Sequence, residues 1–341
     1  MGGSVAKMSR QERDAIARRR LHNILRQHGV ANSRTLEQKI SDAGPAPQRI
    51  DPHILSPMRQ QLVEEGAIHR LPLNHGNWYY LPTTPRDVVD ARLAVQLPVW
   101  LAVAQQALSM RVGQALEIAT YRALLDLPAS MPFFGRFVDL DAHDDTTLYS
   151  KEEPPKHIGS LSTPGKKCLD FMAFHPSAGF LGIECKNVRE WLYPQQAEVK
   201  EMLTKCLALN CIPVMVARRI PYVTFRLLSA CGCIMHQTYN QLFPVSAQLL
   251  ADQARHKDIL GYHDIRLGNL PDQRLVAFVQ QNMPAVAPEA RQRFEMYGDL
   301  LSDFASGDLH YHAFAAKIRR RENGQNEDFD EPEPDPSDYY D

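Results

Sequence analysis

No stretch of this 341-residue chain reaches the roughly 18 consecutive apolar residues that a bilayer-spanning helix needs. Met1–Arg20 is polar and basic and carries no apolar signal-peptide core. These absences predict a soluble, cytoplasmic protein with no membrane partner. Cysteine is present only six times, at Cys168, Cys185, Cys206, Cys211, Cys231 and Cys233, without paired CxxC spacing. The thiols fall inside apolar patterns, so buried free cysteines are expected, not a zinc site or a disulfide set. There is no internal repeat, which excludes a solenoid. There is no glycine-rich phosphate loop either, which excludes a P-loop nucleotide site.

One segment lacks positive charge altogether. Glu327–Asp341 holds eight acidic residues and no basic one, and its proline-rich sequence predicts a disordered tail over 326–341. Such a tail solubilises, or mimics nucleic-acid charge. Removing it turns the chain's net charge of −2 into +6 for the remaining body, with 38 basic residues against 32 acidic. A mildly basic body is compatible with DNA as a partner and does not demonstrate one.

The length suggests more than one domain. Residues 1–85 read as three short helices, from Glu12 to His28, from a cap at Asn32-Ser33, and from Pro52 to Glu65, followed by a hairpin ending in Trp78-Tyr79-Tyr80. That order predicts a small winged helix-turn-helix domain. Its third helix, with His53, Ser56, Arg59, Gln60 and Gln61, would enter a major groove, and Arg70, His75 and Asn77 would sit on the wing. Arg18, Arg19, Arg20 and Arg26 are equally placed to touch phosphates. The same module also serves elsewhere as a protein-interaction unit. Pro82-Thr83-Thr84-Pro85 reads as a linker, and residues 86–240 as a second domain. Its first part is helical to Asp126, with a break or kink at Pro98. Phe133–Leu140 reads as a strand, and Asp141–Lys167 as a long polar loop whose basic end, Lys166-Lys167, could approach DNA. Residues 241–325 read as a helical extension.

The richest signal is Leu169–Asn187, LDFMAFHPSAGFLGIECKN. Two apolar runs flank a turn at His175–Gly179, which predicts a hairpin. With the turn centred on Ser177, partners sum to 354, and Asp170 comes opposite Glu184. Alternation then gives one apolar face, Leu169, Phe171, Ala173, Leu181, Ile183 and Cys185. The other face carries Asp170, Gly182, Glu184 and Lys186. Carboxylates on facing strand positions lie about 5 Å apart at Cβ and repel unless a cation intervenes. Hard oxygen ligands suit Mg2+ or Mn2+. Gly182 is expected to leave open space there, and Lys186 to hold an attacking water or a phosphate oxygen. A surface Asp–Lys–Glu cluster would give the same letters. Asp139 and Asp141 are alternative first carboxylates, without a defined register opposite Glu184.

From about Pro98 to Thr238 the chain resembles the PD-(D/E)XK nuclease superfamily, through Asp170 and Glu184-Cys185-Lys186. Leu169 stands where the motif has proline. The resemblance implies a restriction-endonuclease-like α/β fold, a mixed sheet flanked by helices. It implies a metal-dependent endonuclease on DNA that leaves a 5′-phosphate. Asp170, Glu184 and the Cys185 backbone carbonyl would bind Mg2+ or Mn2+, Lys186 would orient the hydroxide, and Glu117 would support metal or water from the preceding helix. Gln195, Gln196 and Lys200 could reach the site from the next helix, predicted over Gln195–Leu209. The DNA-contacting set would be Arg59, Gln60, Arg70, Lys166 and Lys167. Cutting both strands calls for two active sites, hence a homodimer, and a further protein partner is compatible. The alternatives are a DNA-binding regulator or defence-complex subunit on an inactive fold, and a ribonuclease.

Overall fold

The computed structural model describes residues 8–42, 49–73, 76–141, 144–165 and 167–327. His75, Lys166 and the acidic tail from Asp328 lie outside them. The chain divides into two compact units, Met1–Met110 with Ala247–Leu267, and Arg111–Ser246 with Gly268–Asp341.

In the first unit, Ser9 and Glu12 form a capping box at the start of α1 (Arg10–His28), each side chain accepting the other's backbone N–H. β1 (Val30–Asn32) follows, and the Asn32 side chain caps α2 (Ser33–Ile40) by accepting the Thr35 N–H at 2.8 Å. After α3 (Pro52–Glu64) come β2 (His69–Leu73) and β3 (Gly76–Tyr80). The three strands pair antiparallel in the order β1-β3-β2. β1 was not legible in the sequence, because three residues are too few to show an alternation. Ala17, Leu21, Leu25, Leu36, Ile40, Ile54, Leu55 and Leu62 form the core.

α4 (Arg86–Val103) buries Val89 and Leu93 against Val30 and Trp78. That packing joins α4 to the first unit, so the chain divides near Met110 and not at Pro82–Pro85. Residues 247–267 add the helix Gln248–Arg255 to the same unit, which splits the expected C-terminal extension. The helical run does not break at Pro98, which lies inside α4; the interruption comes at Ala104 and Gln105. A proline removes one backbone donor and crowds one carbonyl, a loss the turns on either side here absorb.

α5 (Gln106–Leu124) leads into the second unit. β4 (Phe133–Phe134) ends early, at Gly135, whose φ of +98° favours glycine and whose Cβ would lie 2.9 Å from the Asp170 carbonyl oxygen. The expected strand to Leu140 is therefore cut short. Beyond Gly135, β5 (Arg136–Phe137) leaves the sheet and pairs with β6 (Lys151–Glu152), and β7 (His157–Ile158) pairs with β8 (Leu161–Ser162). β9 (Phe171–His175) and β10 (Gly179–Lys186) form the hairpin, followed by α6 (Ala197–Ala208), β11 (Ile212–Ala217), α7 (Tyr222–Ala230) and β12 (Ile234–Gln237). The last strand starts later than Cys231, because Gly232, at φ +83°, turns the chain out of α7.

The five-stranded sheet has the order β12-β11-β10-β9-β4. It is mixed: β4, β9 and β10 are antiparallel, whereas β10, β11 and β12 run parallel, each parallel step made through a helix. Apolar clusters cover both faces. Phe171, Ala173, Leu181 and Ile183 pack with Leu116 and Ala119 of α5, and Met172 and Met215 pack with Val199, Met202 and Cys206 of α6. Among the described residues the cysteines are all free, and no single helix is long and apolar enough to cross a membrane.

Candidate active site

The hairpin has the expected register. His175 pairs with Gly179, Ala173 with Leu181 and Phe171 with Ile183. The ladder stops there, one residue before Asp170. The Asp170 N–H still donates to the Ile183 carbonyl at 3.1 Å, but its carboxylate takes over the next rung, Oδ2 accepting the Cys185 N–H at 2.7 Å. Cys185 thus serves Asp170 through its N–H, while its thiol lies buried against Thr120.

Two expectations about this hairpin are corrected. Leu169 does not share the Phe171 face; the chain has left the ladder by then, and Leu169 packs with Met172 and Cys206. Gly182 does not open a space either. A Cβ there would stand 2.8 Å from both Cys206 Sγ and Leu169 Cδ1. Glycine is required because α6 and Leu169 close over the strand. The carboxylate face is therefore not a solvated surface, and Glu184 is buried within it.

Charges alternate along two chains of contacts, which influence each other where Asp170 faces Glu184 and Lys186. Glu184 accepts from Lys186 Nζ at 2.9 Å through Oε2 and from Lys205 Nζ of α6 at 2.7 Å through Oε1. Lys205 also reaches Glu201 at 3.0 Å, and Glu201 in turn accepts from the exposed Lys167 at 2.5 Å. On the other side, Glu117 of α5 accepts from Lys151 Nζ at 2.7 Å, and Lys151 stands 3.7 Å from Asp170 Oδ1. Glu184, Lys205 and Lys151 keep only 2%, 6% and 7% of their side chains exposed, whereas Asp170, Lys186 and Glu117 keep 20%, 23% and 19%. Of these six, Asp170, Lys186 and Glu117 are the ones a ligand can reach, while Glu201 and Lys167 lie further out, at 35% and 66% exposed.

Burial and the neighbouring Glu117 charge push the Asp170 carboxyl up to about 6, against the pull of Lys151, Lys186 and the Cys185 N–H. Burial and Asp170 raise Glu184 likewise, opposed by Lys186 and Lys205. Burial disfavours the charge on Lys186, but Glu184 and Asp170 outweigh it and hold the ammonium above its ordinary value. Glu117 and Asp170 do the same for Lys151, and Glu184 for Lys205.

The expected residues Glu117, Asp170, Glu184 and Lys186 are brought together. The Gln196 side chain instead accepts the Tyr193 N–H of the loop before α6, and Lys200 lies over the Phe304 ring. Asp139 accepts from the Ser150 N–H. Lys151 and Lys205 were not anticipated. Lys205 had a signal, since it falls three residues after Met202 and beside Cys206 on the inward stripe of α6. Lys151 had none, lying in a polar segment without periodicity.

In the first unit, the Arg59 guanidinium lies 5.0 Å over the Tyr79 ring, half-buried. Gln60 is exposed and donates to Glu64, and Arg70 is exposed on β2. Neither a protein-family model, nor a curated protein, nor a solved structure matches this chain.

Proposed function

We propose that the protein is a divalent-metal-dependent deoxyribonuclease, with a restriction-endonuclease-like catalytic unit and a winged-helix unit that engages duplex DNA. The observation that carries the reading is the meeting of Glu117, Asp170, Glu184 and Lys186, from one helix and two adjacent strands, in a network whose reachable edge is Glu117, Asp170 and Lys186.

The donors fit a hard dication. Asp170 and Glu184 carry charge that burial and their neighbours disfavour, and a dication relieves both costs. Among the described residues no three His, Cys, Asp or Glu side chains form a ready-made metal cluster. Mg2+ needs none, taking one or two carboxylates and completing its shell with water and phosphate oxygens. Asp170 would hold the ion, with the buried Glu184 joining it only where Lys186 gives up its contact, and the ion when bound supplies an acidified water and a polarised phosphate. Glu117 steadies the Asp170 side of the site through Lys151. Lys186 donates to the attacking oxygen or a phosphate oxygen and holds it in line. Cys185, through its N–H, fixes the Asp170 carboxylate.

One observation favours a second reading, a DNA-binding platform without catalysis: both oxygens of Glu184 already accept from lysines, so the network is neutralised internally. Melting curves separate the two. On the nuclease reading, millimolar Mg2+ raises the melting temperature of the wild type and not of Asp170→Asn, because a ligand of the native state stabilises it by mass action. Identical curves with Mg2+ and with EDTA favour the platform.

A further inference from the structure

Beyond linking Glu117 to Asp170, Lys151 has no part in the reaction as drawn, yet it is held more firmly than a surface lysine. β6 delivers it through its pairing with β5, and only 7% of its side chain is exposed. Its ammonium lies 2.7 Å from Glu117 Oε2, 3.7 Å from Asp170 Oδ1 and 3.7 Å from Glu153 Oε2. It also sits 4.8 Å over the Phe171 ring and 5.7 Å over the Phe137 ring. Three carboxylates and two aromatic faces make a box for one cation, and the chain fills it with its own ammonium.

Two-metal phosphodiesterases place a second ion beside the first, between carboxylates, to stabilise the leaving oxygen. Resting on the nuclease reading above, we propose that the Lys151 ammonium takes the place of that second ion, so that the site binds one divalent cation and not two. Charge balance supports the count. Glu117, Asp170 and Glu184 are matched by Lys151, Lys186 and Lys205, and Glu201 by Lys167, so before any metal arrives the one unmatched charge is that of Glu153, half in solvent. One dication is then balanced by a scissile phosphodiester and an attacking hydroxide, one negative charge each. A second dication would add two positive charges opposed only by the half-exposed Glu153 in a largely buried site, a costly arrangement.

The test is a Mn2+ titration of the full-length wild type, Lys151→Met and Lys151→Arg, read by calorimetry and by Mn2+ electron paramagnetic resonance. Lys151→Met keeps the stem that packs on Phe137 and Phe171 while removing the charge. We expect one ion on the wild type and on Lys151→Arg, and two on Lys151→Met, whose cleavage becomes second order in Mn2+. Two ions on the wild type overturn the inference without any variant having to fold. A folded Lys151→Met that still binds one ion also overturns it and leaves the nuclease reading intact. No Mn2+ on any of the three overturns both. One ion on the wild type with no DNA cleavage removes the nuclease reading and upholds the ion count.

Discussion

Arg18 and Glu65 in the first unit meet at 2.8 Å with 43% and 38% of their side chains in solvent. Lys205 and Glu184 in the second meet at 2.7 Å with 6% and 2% exposed. The distances differ by only 0.1 Å, and the consequences differ. Water solvates the first pair whether or not it forms, so the contact adds little to stability. The second pair has lost its water, and each charge depends on the other; removing one partner strands the other. Buried ion networks are weak evidence of a stabilising design, since well-packed apolar residues serve as well or better. The charges gathered around this hairpin end, two of their carboxyls raised by burial and by each other, are therefore not accounted for as a device for stability.

The comparison is broken most forcefully at Lys205. Lys205→Ala leaves Glu184 with Lys186 alone, and should cost about 3–5 kcal/mol at pH 7 by denaturant unfolding. The loss should shrink as the pH is lowered, because Glu184, pushed up by burial and Asp170, takes a proton sooner than an ordinary carboxyl. A cost that does not change with pH would place the effect in packing. Asp170→Asn sharpens the same contrast from the acid side. The native state holds a proton on Asp170 up to about 6, and the unfolded chain only to about 4. This group therefore makes the wild type more stable as pH falls from 6 toward 4, and its ionised form costs stability above 6. Asp170→Asn should accordingly melt higher than the wild type at pH 8 while losing Mg2+ binding and cleavage, and a lower melting temperature would count against the account. Gly182→Ala tests the closed face through packing alone. Its new Cβ meets Cys206 and Leu169, and chemical denaturation should show a loss of about 1–2 kcal/mol. Arg18→Ala should produce the smallest effect, a melting curve superimposable on the wild type, with weaker DNA binding at low salt as the only change.

How much of this could be read in the sequence depended on how local each signal was. The hairpin register followed from alternation and one turn, and every observed pair obeys it. α6 and its inward residues Val199, Met202, Leu203 and Cys206 were visible in helical periodicity. Meeting of Glu117 with Asp170 required the resemblance, since helix and strand are some fifty residues apart. What escaped was non-local. Leu169 was assigned from alternation, which fails where Asp170's side chain replaces a backbone rung, and the space at Gly182 is closed by Cys206 of α6 and by Leu169. Lys151 reaches its carboxylates by way of a two-residue strand pairing, which no periodicity announces. The strand after Phe133 was cut at Gly135 by a close approach to the Asp170 carbonyl, a contact between segments that the sequence keeps far apart.

The most direct measurement is incubation of supercoiled plasmid with the purified protein in Mg2+ and in EDTA, beside Lys186→Ala. The account predicts nicking or linearisation that requires Mg2+ and falls by at least about a hundredfold in Lys186→Ala, with DNA binding and Mg2+ binding retained by the variant. Cleavage that survives in EDTA, or that Lys186→Ala performs as well as the wild type, would contradict it.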